Sequence, residues 1–300
     1  MLTKKRKGIS RVNGRHILFS MTSTLAAVVF ILLLFFPVVS AQIIHPLAET
    51  ENNEVHVLPQ DIKDVLGTSL PAVNYRIPIL MYHYVEYVQD KKDTVRQSLD
   101  ITPNILDQQL LTLKNAGYTF MTARQLGDVL DRRLPLPPKP VVLTFDDGYR
   151  DFYTDAYPVL KKYHIHATAY IVPGFLDTPN YMFSYQIRNL INDGLVEIGA
   201  HTIHHVWLKD MPYNEASKEI LMSKKMLESE FSIGVVSFAY PYGAFDKQAL
   251  ALVRKAGFWT SVSTVPGIDA NVNDRYFLYR LRPGGRVGND LLNWLAQTSY

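Results

Sequence analysis

A parallel α/β fold is predicted for this chain of 300 residues, and three features of the sequence predict it. From Arg76 onward, short apolar runs alternate with stretches of helical spacing, the pattern of β/α units around a parallel sheet. One run, Val141-Val142-Leu143-Thr144-Phe145, is apolar enough for a strand buried on both faces. The polar residues that stand out follow directly on such runs, at the strand ends where sites of these folds are built. Right-handed crossovers leave two architectures open, a barrel or a doubly wound sheet, with six or seven strands in either.

Residues 77–82 read as the first strand, with Pro78 tolerated near its start. Thr102 is an N-cap with Pro103 at the first helical position. Ile105, Leu106, Leu110 and Leu113 follow at helical spacing, and Gly117 closes the helix. Residues 118–121 form a short strand, and Thr122 caps a second helix that runs to Leu130. The proline-rich stretch 134–140 breaks the chain before Val141. Downstream the pattern repeats. Helix 151–163 precedes strand 167–172, and helix 185–192 precedes strand 196–200; helix 214–230 leads to strand 235–238, and helix 246–256 to strand 258–263.

The N-terminal quarter is different. Lys4, Lys5, Arg6, Lys7, Arg11 and Arg15 make residues 1–16 a basic tail without an acid. Residues 17–39 are uncharged and rich in Leu, Val, Ile and Phe; at 1.5 Å per residue they span roughly 34 Å, enough for a bilayer core. The basic side stays cytoplasmic, so the remainder is expected outside. The segment is a transmembrane anchor or, with small residues at Val39-Ser40-Ala41, a cleavable signal peptide. Residues 40–75, acid-leaning and punctuated by Pro46, Pro59 and Pro71, form a linker with one weak helical turn at 61–66; 76–300 form the folded domain.

This partition disposes of the net charge of +3. Six of the 31 basic residues lie in the tail, and the remaining 25 face 28 acidic ones, so the folded part has no basic footprint for nucleic acid. The absence of cysteine excludes disulfides, thiolate metal sites, Fe–S clusters and cysteine nucleophiles. Any metal must be held by His, Asp or Glu.

Four polar groups follow strands: His83, Asp146-Asp147-Gly148, His201-Thr202-Ile203-His204-His205 and Tyr240-Pro241-Tyr242-Gly243. In a parallel fold all four open on one face. Adjacent carboxylates ending a buried strand are costly unless a cation neutralises them. One Asp with two His makes a first shell for Zn²⁺ or a similar divalent ion (Co²⁺, Ni²⁺), with positions left for water and substrate. The spare carboxylate can then take a proton from the attacking water. Tyr149, Tyr240, Tyr242 and Trp207 lie beside these residues, either as faces for sugar rings or as packing around a barrel mouth.

At these positions the chain resembles the polysaccharide deacetylases, the NodB-homology group or family-four carbohydrate esterases. Thr144-Phe145-Asp146-Asp147-Gly148, His201-Thr202-x-x-His205 and Tyr240-Pro241-Tyr242-Gly243 carry the likeness, which covers most of residues 77–282. The resemblance implies a distorted (β/α) barrel of about seven strands and metal-dependent removal of acetyl from N-acetylglucosamine units. Carried over by position, Asp146 is the general base, Asp147, His201 and His205 hold the metal, and the Tyr242 backbone N–H stabilises the oxyanion. His204 is then a neighbour, although spacing alone leaves it interchangeable with His205.

Two departures stand out. Phe238-Ala239 occupies the stretch where many family members have an arginine oriented towards the base, and no histidine follows His205 to serve as general acid. Met81-Tyr82-His83 resembles the exopolysaccharide deacetylase branch, which includes the poly-β-1,6-N-acetylglucosamine deacetylases and carries its acid motif on the N-terminal side; His83 is the implied acid. Arg280, or failing it Arg282, is the candidate for the cation that tunes Asp146. The expected activity is an exported de-N-acetylase of an N-acetylglucosamine polymer. An acetyl-xylan esterase or a peptidoglycan deacetylase on the same scaffold, or a glycan-binding module with a degenerate site, remain rivals.

Overall fold

The computed structural model describes residues 73–298. The anchor or signal segment, the basic tail, most of the linker and the expected turn at 61–66 lie outside the described residues. Among the described residues no helix is long and apolar enough to cross a membrane.

The strands in chain order are β1 (Tyr75–Arg76), β2 (Ile79–Tyr82), β3 (Tyr84–Val85), β4 (Asp100–Ile101), β5 (Thr119–Met121), β6 (Pro140–Phe145), β7 (Ala167–Ile171), β8 (Val196–Ala200), β9 (Ser237–Ala239), β10 (Thr260–Pro266), β11 (Asp269–Ala270) and β12 (Leu278–Arg280). The helices are α1 (Thr94–Leu99), α2 (Pro103–Asn115), α3 (Ala123–Leu130), α4 (Tyr157–Tyr163), α5 (Ser184–Asp193), α6 (Tyr213–Phe231), α7 (Lys247–Lys255) and α8 (Gly288–Thr298). Seven strands run parallel in the order β2-β6-β7-β8-β9-β10-β12, and β5 pairs with the first half of β6. A single bridge, Leu80 to Leu281, brings the two ends of this order together; the Met81 N–H donates to Leu281 O at 2.9 Å and the Leu281 N–H to Ile79 O at 2.8 Å. The result is a nearly closed, distorted barrel. Closure decides between the two architectures that alternation alone left open.

Strand alternation divides the core. On β6, Leu143 and Phe145 face the helical layer with Leu106 and Leu110 of α2. Val142 faces the barrel interior with Ile79, Tyr170, Ala239, Val262 and Leu278. Ala123, Leu126, Val129 and Leu130 of α3 complete that inner cluster. Thr122 starts α3 with a capping box shared with Gln125, as its spacing predicts. The N-terminus of α3 lies across the beginnings of three strands: Ala123 N–H donates to Thr168 Oγ1 (2.9 Å), Arg124 N–H to Glu197 Oε2 (2.7 Å), and Thr260 Oγ1 to Ala123 O (3.4 Å). A helix therefore plugs the strand-start end, and the opposite end stays open for chemistry.

Several expectations need correction. The helix over 151–163 begins with a π turn at Phe152–Ala156 before α4, because Pro158 lacks the N–H that would continue an α ladder from Thr154. The last barrel strand, β12, has only three residues and pairs with β10 through an irregular register, so no run of alternation announces it. Helix α1 and the two-residue pairs β1–β11 and β3–β4 also carry no such signal, whereas α8 buries Leu291 and Leu295 one turn apart.

Candidate metal-dependent active site

The inward parity that places Val142 and Thr144 inside the barrel carries Asp146 into its mouth, one residue beyond β6. The same alternation brings His83 inward after Met81, His201 after Gly199, and Arg280 after Leu278. Asp146, Asp147, His201 and Arg280 are all buried.

Asp146 is gripped by Arg280. Nη1 donates to Oδ1 and Nη2 to Oδ2, each at 2.7 Å, a bidentate pair. The guanidinium is itself anchored, donating from Nε to Ser263 O at 2.7 Å and from Nη1 to Thr144 Oγ1 at 3.1 Å. Burial alone would raise the Asp146 pKa, but the charge and hydrogen bonds of Arg280 prevail and hold it below the usual carboxylate value. The cation that the third motif lacks thus comes from β12, and it is Arg280 rather than Arg282. Thr144 was not singled out by sequence, although it occupies the inward position two residues before Asp146.

His83 Nε2 stands 3.9 Å from Asp146 Oδ2. Its pKa is lowered, chiefly by burial and further by Arg282 and Arg280, against the pull of Asp146 and Asp147. An imidazolium there gives its proton up readily.

Asp147 turns back from Asp146 in the left-handed region, φ 73°, followed by Gly148 at φ 76°. Its Oδ1 lies 3.2 Å from His201 Nε2 and 3.1 Å from His205 Nε2. The His201 Nδ1 is 2.7 Å from Ala239 O, an acceptor, so Nδ1 carries the hydrogen and the neutral ring presents a lone pair at Nε2. That lone pair faces a buried carboxylate oxygen on which no hydrogen-bond donor is aligned. Two acceptors this close require a cation or a shared proton between them. Burial alone would lower the His201 pKa, but the nearby carboxylates of Asp147 and Asp146 raise it above the ordinary histidine value. One ligand atom from each of Asp147, His201 and His205 lies within 4.8 Å of the others. Two imidazole nitrogens and a carboxylate oxygen fit a divalent transition metal.

His204 is not part of this cluster. Its ring turns outward, 57% exposed, with Nδ1 2.8 Å from Glu219 Oε1. Glu219 also accepts from the backbone of the turn, and no motif in the sequence pointed to it. Tyr242 sits at φ 59° with its hydroxyl 3.1 Å from His205 Nδ1. Four residues of the site, Asp147, Thr202 (φ 60°), His205 (φ 53°) and Tyr242, are non-glycine residues in left-handed conformations, each costing of order 1–3 kcal/mol and held by their surroundings.

The aromatic residues divide. Tyr242 and Trp207 are each 51% exposed, with ring centroids 6.0 Å apart. Tyr240 is fully buried, packed on Phe238 and Phe245 with its hydroxyl donating to Tyr276 O, which corrects the expectation that it can meet a sugar. Tyr149 stacks with Tyr84 (4.0 Å) and Tyr181 (5.0 Å) in a packed aromatic wall.

The chain is similar to several known proteins. The family model described as polysaccharide deacetylase matches residues 133–260, from before β6 to the start of β10. The Bacillus subtilis (strain 168) protein YxkH, which carries the polysaccharide deacetylase name, is 29% identical over 229 residues, covering 76% of this chain and 78% of its own length. Residues 133–260 thus carry the likeness to a polysaccharide deacetylase domain. Other similar proteins of the polysaccharide deacetylase kind include the poly-β-1,6-N-acetyl-D-glucosamine N-deacetylase of Staphylococcus aureus (strain MSSA476), 26% identical over 249 residues and spanning 77% of this chain and 83% of that protein. Among solved structures, the Streptococcus pyogenes deacetylase PplD in complex with acetate superposes with a TM-score of 0.69 at 28% identity, covering 76% of this chain and all (100%) of that one.

Proposed function

We propose that this chain removes N-acetyl groups from N-acetylglucosamine units of an extracellular or cell-wall polysaccharide, with Asp146 as base, His83 as acid and a divalent metal, Zn²⁺ first, on Asp147, His201 and His205. The observation that carries the reading is the pairing of two neighbouring carboxylates with opposite partners: Asp146 on Arg280, Asp147 on two imidazoles. A divalent ion held by the second set supplies Lewis acidity for the acetamide carbonyl and for water.

The remaining steps belong to the chain. Asp146, kept ionised by Arg280, accepts a proton from the water that attacks the carbonyl carbon. His83, 3.9 Å away, donates a proton to the nitrogen as the C–N bond breaks, releasing a free amine and acetate. The backbone N–H of Tyr242 is assigned to stabilise the negative charge that develops on the carbonyl oxygen. The half-exposed rings of Tyr242 and Trp207 border the site and offer faces to a sugar. The rival reading of a degenerate binding module was motivated by the missing third-motif arginine, and Arg280 removes that motive. Export of the domain is supported by the one-sided basic charge before the apolar segment 17–39.

The test measures acetate release from β-1,6- and β-1,4-linked N-acetylglucosamine oligomers, from peptidoglycan and from acetyl-xylan, together with metal content. The expected result is metal-dependent release from a β-linked N-acetylglucosamine oligomer, abolished in Asp146→Asn with metal retained. Release from acetyl-xylan alone, or full activity in Asp146→Asn, would sink the assignment.

A further inference from the structure

We propose that Glu219 is a positioning residue that holds the His201–His205 turn in its ligating shape, so that metal affinity is set from α6 as well as by the ligands; the inference rests on the reading of Asp147, His201 and His205 as metal ligands. The turn is strained at both ends of its reversal, with Thr202 and His205 in left-handed conformations. Something outside it must hold it.

Three contacts do so. The His201 N–H donates to Ile171 O at 3.0 Å, which fixes the entry to the turn. The Gly174 N–H donates to Ile203 O at 3.0 Å, and the chain approaches so closely there that a Cβ on residue 174 would stand 2.4 Å from that oxygen. On the other side stands Glu219. Its Oε2 accepts from the N–H groups of both Ile203 and His204, at 2.9 and 3.0 Å, while Oε1 lies 2.8 Å from His204 Nδ1. Two successive N–H groups converging on one oxygen form an anion-binding nest, and here a side chain of the same protein fills it. The carboxylate is only 12% exposed, so these charge-assisted bonds face little competition from water. His204 thereby acquires a purpose: its ring, directed away from the metal ligands, closes the grip on Glu219.

The geometry separates a positioning role from a charge effect. Glu219→Gln keeps the length and one carbonyl oxygen able to accept from both N–H groups. Glu219→Asp keeps the charge but is one methylene too short to reach. Isothermal titration of Zn²⁺ and Co²⁺ into the metal-free full chain should give binding by Glu219→Gln within about threefold of the unaltered protein, and by Glu219→Asp roughly 10–100-fold weaker. Wild-type affinity in Glu219→Asp, or an equal loss in Glu219→Gln, overturns the proposal. Amide exchange of the metal-free protein gives an arm independent of the metal. The Ile203 and His204 amides should be protected in the unaltered chain and exchange fast in Glu219→Asp, and equal exchange in both overturns the clamp. If the unaltered chain binds neither metal, the ligand reading fails by itself, while the exchange measurement still decides on the clamp.

Discussion

Replacing Arg280 with methionine removes the charge while keeping much of the side-chain volume. It leaves Asp146 buried, ionised at neutral pH and without its two 2.7 Å donors, and it strips the Ser263 carbonyl of a donor. Breaking a buried pair on one side costs about 3–5 kcal/mol, a large share of the 5–15 kcal/mol that holds a typical domain together. In urea unfolding at pH 7, followed by circular dichroism, the midpoint should fall by about 1–2 M. The pH dependence carries the sign. In the native protein the Asp146 pKa is depressed, so the pair's contribution is present above the unfolded value near 3.8 and is lost as pH falls through the lower folded value. In Arg280→Met burial is opposed only by the weaker pull of His83 and His201, so the pKa rises. The variant then protonates Asp146 on mild acidification and recovers, and the gap between the two proteins narrows from pH 7 towards pH 4. Arg280→Lys, with one ammonium for a two-pronged guanidinium, should fall between them. Midpoints within about 0.5 M of each other at pH 7, or a gap that widens on acidification, would refute this account of the pair.

Three further outcomes are expected. In the metal-free protein, the ring protons of His83 should titrate below 6.5 by NMR; Asp146→Asn removes a charge that raises this pKa, so the midpoint should move lower still, and an upward move contradicts the electrostatic reading. Asp151, whose carboxyl is pushed up to about 7 chiefly by burial, contributes stability below its unfolded pKa that is lost as pH rises through 7. Asp151→Asn keeps an acceptor for the Val85 N–H and should melt higher than the parent at pH 8, which differential scanning calorimetry at pH 5 and 8 checks. Gly174→Ala should destabilise by about 1–3 kcal/mol in denaturant and weaken metal binding, because its Cβ meets Ile203 O; unchanged binding would show that the turn yields without cost.

Much of the site was legible because its signals are local. Strand period two alone places Val142, Thr144 and Asp146 on one side of β6, although the strand is buried on both faces. The capping box at Thr122 and the Thr102–Pro103 start of α2 likewise depend on residues within one turn of each other. Lying at strand ends, His83, Asp146, Asp147, His201 and His205 could be gathered on one face before any pairing was known. Tyr240 shows the limit: its neighbours in sequence belong to the site, but the ring packs on Phe238 and Phe245, and adjacency to a motif says nothing of which way a turn directs its side chains.

By itself, then, the sequence determined a parallel α/β fold, the strand-end cluster and its Asp-His-His chemistry, since each is written in patterns a few residues long. The tertiary structure alone decided what depends on distance along the chain. Closure of the ring by Leu80 and Leu281 made a barrel of an ambiguous sheet and brought Arg280 onto Asp146 across 134 residues. The packing of α6 against the His201–His205 turn sent His204 to Glu219 and His205 to Asp147. Contacts between distant segments follow from strand order and closure, which no short pattern encodes.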